Sequence, residues 1–286
     1  MWIFLCVLSA VFFALNHLVS KEFSKRKATT EFLPLIYLFA LVLLLPFISF
    51  IEPIQDFFTF FKIIVFSVST SLGTFLLFYT YSRTDISTAS PLLNLSPVFL
   101  VVTSFIILGE SLSLPVYFAV FLIVLGGYLI TLNNCKDIFH PFTSIPKKYF
   151  TLILLTIILY SISAPVAKMS LETVGIYSFM FYTIFISCLL WFLIESLVKK
   201  HIFFKGLKQH WKLAFYGSFF FVGSELALFL ALSLPEVLVS LAIPIRRVSS
   251  IFIVIAGGHI FHEGKIKQKL MASSIMLVGV FIIALN

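Results

Sequence analysis

The chain has 286 residues, of which 60% are hydrophobic and 11% charged, with a net charge of +8 and a mean hydropathy of +1.12. A soluble domain carries about 25% charged residues, so this composition excludes a water-soluble globular protein and, despite the basic balance, a soluble nucleic-acid binder. Three isolated cysteines, Cys6, Cys135 and Cys188, supply neither a disulfide framework nor a CxxC motif.

Ten apolar runs, at 2–20, 32–51, 63–82, 86–108, 113–132, 150–167, 174–194, 213–234, 237–261 and 270–285, have roughly the 20 residues that cross a bilayer core. The expected fold is therefore an all-α polytopic membrane protein of ten transmembrane helices with short connections. The first run has no basic segment before it and no clear small-residue cleavage site, and it is read as a retained span rather than a signal peptide. In the first run Asn16 and His17 are polar, and Tyr160, Ser161 and Ser163 stand at matching places in the sixth. Pro91 and Pro97 in the fourth run, Pro165 in the sixth and Pro244 in the ninth each remove a backbone donor and predict kinks. Ser87, Thr88, Ser90, Asn94 and Ser96 surround the first two of these, which predicts polar-lined fourth and ninth spans.

The distribution of basic residues sets the expected orientation. Sixteen lysines and arginines lie in the odd-numbered loops, two (Lys62 and Lys168) in the even ones, and Arg246 and Arg247 lie inside a span. The positive-inside rule then puts the odd loops in the cytoplasm and both termini outside, with anionic membrane lipid as the contact of the basic charge.

A stretch of the chain is written twice. NLSPVFLVVTSFIILGE (94–110) corresponds to RVSSIFIVIAGGHIFHE (247–263), and at that spacing Ser87 meets Ser240, Pro91 meets Pro244, Glu110 meets Glu263 and Gly126 meets Gly279. FFALNHLVSK (12–21) lies more weakly against LYSISAPVAK (159–168). This predicts a first five-helix repeat over 1–133, a connecting loop over 134–148 and a second repeat over 149–286. An odd number of spans per repeat inverts the second half relative to the first, the arrangement from which one sequence can form inward-open and outward-open states.

LNLSPVFLVVTSFIILGESL (93–112), PIRRVSSIFIVIAGGHIFHE (244–263) and ALNHLVSK (14–21) together resemble the drug/metabolite transporter superfamily, in particular its EamA-type members with two five-span repeats. The resemblance extends over the whole chain in span count, length and repeat structure, and implies movement of a small-molecule metabolite without implying which one. His262 departs from the pattern, standing where the first repeat has Gly109. Members of the family are described with cytoplasmic termini; the charges here argue for external ones, and the charges are followed.

Glu225, Arg246 and Arg247 are charges deep in spans, where each costs roughly 2.5–3.5 kcal/mol on insertion scales and therefore faces the bundle interior. Arg247 corresponds to polar Asn94 in the repeat and Arg246 to Leu93. Arg247 is accordingly assigned to the substrate's anionic group and Arg246 to an ion pair with Glu225, with Glu225 also considered for a substrate amine or a coupling proton. Asn94, Asn16, His17, Tyr160 and Ser163 complete the candidate substrate site; for His17 a packing role is the competing reading. Glu110 and Glu263 are read as holding a loop or a neighbouring helix end, or as a gate.

His259, His262 and Glu263 spell H-x-x-H-E, which lacks the spacing of zinc hydrolase motifs, so no metal is expected. No Walker A, GxSxG or GxGxxG string is present, so no cofactor and no catalytic residue is assigned. The expected protein is not an enzyme but a secondary transporter in a bacterial inner (plasma) membrane, driven by a proton gradient or by exchange and needing no oligomer. It would carry a small organic solute such as an amino acid or a relative with an anionic group. The alternatives are a flippase for a lipid-linked metabolite and a non-transporting receptor or scaffold.

Overall fold

The structure, a computed structural model, describes residues 1–25, 29–81, 83–84, 92–132, 138–198, 203–252 and 266–285. Among them the regular structure is entirely helical, as it must be where lipid offers backbone groups no partners. The helices are α1 (Trp2–Lys25), α2 (Thr29–Leu44), α3 (Phe57–Tyr81), α4 (Ser96–Leu108), α5 (Leu114–Thr131), α6 (His140–Ser144), α7 (Lys147–Leu171), α8 (Ile176–Val198), α9 (Phe203–Leu232), α10 (Val239–Arg246) and α11 (Ile266–Leu285), with a 3-10 turn at Leu45–Phe50. Six of them are long and apolar enough to cross a membrane, and Ser96–Leu108, Leu114–Leu129 and Met271–Leu285 are shorter apolar helices.

Local chemistry sets the helix ends. Pro46 tightens the end of α2 into the 3-10 turn. Asp56 caps α3 by accepting from the Thr59 N–H at 2.8 Å and from its hydroxyl at 2.9 Å. α4 ends on Gly109 at φ +69°, and the next amide, Glu110 N–H, reaches back to the Ser104 carbonyl. That is a Schellman-type cap, which glycine enters without the Cβ penalty of the left-handed region.

The fourth and ninth runs are interrupted, the fourth just before Pro97, which stands in the first turn of α4, and the ninth three residues after Pro244. The chain is helical at Leu92–Leu93, forms a turn at Asn94–Leu95 and resumes at Ser96; it is helical through Arg246, forms a turn at Arg247–Val248 and resumes at Ser249. The hydrogen bonds correspond as well. Leu95 N–H donates to Leu92 O and Val98 N–H to Leu95 O, while Val248 N–H donates to Ile245 O and Ile251 N–H to Val248 O. All four are i to i−3 bonds, the tighter pattern that marks hinges inside helices. Pro244 lies inside α10 and Pro165 inside an α7 that continues through it.

Packing pairs elements from the two ends of the chain: α1 runs along α9, α7 along α3, α2 against α8 and α5 against α11. α5 and α11 meet reciprocally. A Cβ on Gly126 would stand 2.7 Å from the Ala272 carbonyl oxygen, and one on Gly279 would stand 2.6 Å from that of Ala119. Small residues let backbones approach this closely where packing, not water, holds helices together. Ser9 and Ser224 each donate to the other's carbonyl across α1 and α9, at 2.8 and 3.0 Å. Phe179, Met180 and Phe229 sit at the centre of the main core, whereas Phe57, Phe58, Ile106 and Phe118 are exposed apolar side chains suited to lipid.

Candidate functional site

Charges and polar groups converge where α1, α9 and α10 meet beside the two helix breaks. Arg246, the last residue of α10, forms an ion pair with Glu225 of α9, and its Nη2 also donates to Ser224 Oγ at 3.0 Å. Its guanidinium lies over the Phe13 ring of α1 at 4.5 Å from the centroid, a cation–π contact that helps offset the loss of water. Arg246 is thus enclosed by α1 and α9.

Arg247, one residue on, turns the other way. It occupies the break after α10, and its Nη2 donates to Ser96 Oγ at 2.7 Å, the residue that restarts the helix after the first break. Asn94, in that first break, donates to the Gly127 carbonyl of α5 at 2.6 Å. The two interruptions are joined side chain to helix start, and both carry part-buried polar side chains.

The other expected site residues divide. His17 packs on Phe13 with ring centroids 4.5 Å apart, remains accessible, and lies within electrostatic reach of Arg247 and Arg246. The Tyr160 hydroxyl shares a 3.0 Å hydrogen bond with Thr74 Oγ1, its ring fills the space beside Gly73, and Arg247 lies within its electrostatic reach. Asn16 donates to the Gly217 carbonyl at 2.8 Å, bridging α1 to α9. Ser163 donates to the Tyr160 carbonyl of its own helix at 2.9 Å. Glu110 is taken up by the start of α10, accepting from Val239 N–H at 2.7 Å and from Ser240 N–H at 2.9 Å. Glu263 lies outside the described residues, as does the H-x-x-H-E string. Among the described residues no three His, Cys, Asp or Glu side chains come together as a metal site would need.

Sequence reasoning missed Tyr37, Thr74 and Phe13. Tyr37 of α2 is buried, stacks edge-on against Phe221 at 5.4 Å, and lies within electrostatic reach of Tyr160 and Glu225. Nothing in its local sequence, LPLIYLFAL, separates it from an ordinary core aromatic.

Residues 1–132 match the EamA-like transporter family. Through this segment the chain is similar to that family. The EamA-like segment takes in α1 to α5, including the first break and Glu110. With six helices long and apolar enough to cross a membrane and a first half similar to a transporter family, the protein is an integral multi-pass membrane protein. A solved chain described as "Crystal structure of protein" aligns over 98% of this chain and 96% of its own, with a TM-score of 0.74 and 12% identity. At that identity the likeness shows a shared fold, and it extends past residue 132 to nearly the whole chain. No curated protein matches the sequence significantly.

Proposed function

We propose that this protein is a secondary transporter that binds a small organic solute with an anionic group beside the two helix breaks and moves it by alternating access. The carrying observation is the Arg247–Ser96 bond, which places a guanidinium between two corresponding interruptions. Broken helices expose backbone groups only where protein or an aqueous cavity receives them, and transporters use such breaks for binding. Arg247 offers a planar donor fork to a carboxylate or phosphate. Tyr160 and His17 lie within its electrostatic reach, and Asn94 stands in the facing break.

In this reading the chain has ten spans, with repeats over 1–133 and 149–286 joined by 134–148. The matched breaks, the reciprocal Gly126 and Gly279 contacts and the paired packing of α1 with α9 and α7 with α3 support an inverted repeat. The basic loops favour external termini in a bacterial inner membrane, and a proton gradient or solute exchange supplies the drive.

A thermal-shift screen of the purified protein against carboxylates, amino acids, nucleotides and sugar phosphates tests the binding claim. A solute at about 100 times its Kd stabilises by roughly 2.7 kcal/mol. The expected result is a shift by an anionic solute that Arg247→Ala markedly reduces. Shifts by cations alone, or by no water-soluble compound, would overturn the reading, the latter in favour of lipid-linked cargo.

A further inference from the structure

At the end of the bundle where α4 stops and α10 starts, charged side chains hold backbone, and they do so in a connected set. Glu110, projected from the Gly109 cap of α4, takes Val239 N–H on one carboxylate oxygen and Ser240 N–H, with the Ser240 hydroxyl, on the other. Leu238, the residue before α10, makes no side-chain cap, so the first free amides of this helix are satisfied only from across the bundle. Lys168 of α7 donates to the Val237 carbonyl, two residues before α10 begins. Lys62 of α3 donates to the Met169 carbonyl beside Lys168, at 3.2 Å. Lys62 and Lys168, expected from the sequence in the even loops, lie instead inside α3 and α7, and both serve this assembly. Glu110 is 8% exposed and Lys168 7%.

α10 is eight residues long, with Glu110 and Lys168 at its start and Arg246 and Arg247 at its end. A half-helix this short moves as one piece, so whatever holds its start also places the arginines. We infer that Glu110 and Lys168 form a latch that closes this face and positions Arg246 and Arg247 through α10, and that alternating access releases it. The inference rests on the alternating-access reading above. It adds a role for Lys168 and gives the Glu110 contact a consequence for the binding site.

The test is the spin-label distance between Ser113 and Glu236, exposed residues of the two loops on this face, in full-length protein lacking its native cysteines and without solute. With the latch intact a single short-distance population is expected. Glu110→Gln and Lys168→Met should each raise a longer-distance population several-fold, Lys168→Arg should restore the short one, and Ser240→Ala should give a smaller rise. Ser240→Ala removes one hydroxyl and keeps the test available if the charge variants fold poorly. Unchanged distances in folded, monodisperse variants would overturn the latch, even where their yield falls. The measurement needs no ligand, so a failed solute screen and a failed latch are separate results.

Discussion

Arg247 Nη2 donates to Ser96 Oγ at 2.7 Å, so a side chain from one helix break rests on the first residue after the other. The contact joins α10 to α4 across more than half the length of the sequence, at the place where both helices have given up regular hydrogen bonding. Arg247→Ala should weaken solute binding by the value of a charged hydrogen bond, about 1.5–3 kcal/mol or roughly 10- to 100-fold in Kd. Arg247→Lys should recover only part, because it keeps the charge and loses the fork. Titration of both variants with the solute found by thermal shift checks this, with membrane insertion unchanged as the control.

Arg246 and Glu225 should behave as a structural pair. Removing one partner strands a part-buried charge, at about 3–5 kcal/mol, so Glu225→Gln and Arg246→Met should each lower thermal stability sharply. The double variant should recover much of the loss. Wild-type stability in both single variants would leave Glu225 available for the coupling-proton role instead.

Gly126 and Gly279 have no room for a side chain. Gly126→Val and Gly279→Val should push α5 and α11 apart and destabilise by about 1–3 kcal/mol each, as overpacking does. Gly175→Ala is the control, since a Cβ there meets nothing within 4 Å. Thermal denaturation in detergent compares the three.

Asp56 lies outside the membrane-spanning helices, and the Thr59 backbone N–H and hydroxyl hold its carboxyl below its ordinary value of 3.8. A depressed folded-state value means the cap's stabilisation is fully present above the ordinary range and is lost as pH falls through the lowered one. Hydrogen exchange at the first turn of α3 should therefore be insensitive to pH, after correction for intrinsic rates, down to about 4. It should accelerate under stronger acid, and Asp56→Ala should be fast at neutral pH already.

Much of the architecture was legible because a membrane enforces it: apolar runs must become helices, and charges inside them must find partners. The correspondence of Asn94 with Arg247 singled out the arginine that sits in a break, and Leu93 opposite Arg246 marked the other as different. The position of the breaks was not legible. Prolines drew attention, yet α10 runs through Pro244 and gives way at Arg247, and the first break falls at Asn94–Leu95, ahead of Pro97 in the first turn of α4; in both places i to i−3 bonds replace the regular pattern. Lys168 looked like an exception to a charge bias. Its partner is a backbone carbonyl, and every residue has one of those, so no residue pattern announces it. Tyr37 and Thr74 were hidden for a related reason: their partners come from helices distant in sequence.

The central claim is that this protein moves an anionic solute through a site built on Arg247. Counterflow in proteoliposomes tests it directly, with liposomes preloaded with the unlabelled solute and a labelled trace added outside. The account predicts saturable accumulation of the trace by the wild-type protein, and strongly reduced accumulation at the same solute concentration by Arg247→Ala inserted to the same level. Equal counterflow by the two proteins would contradict it.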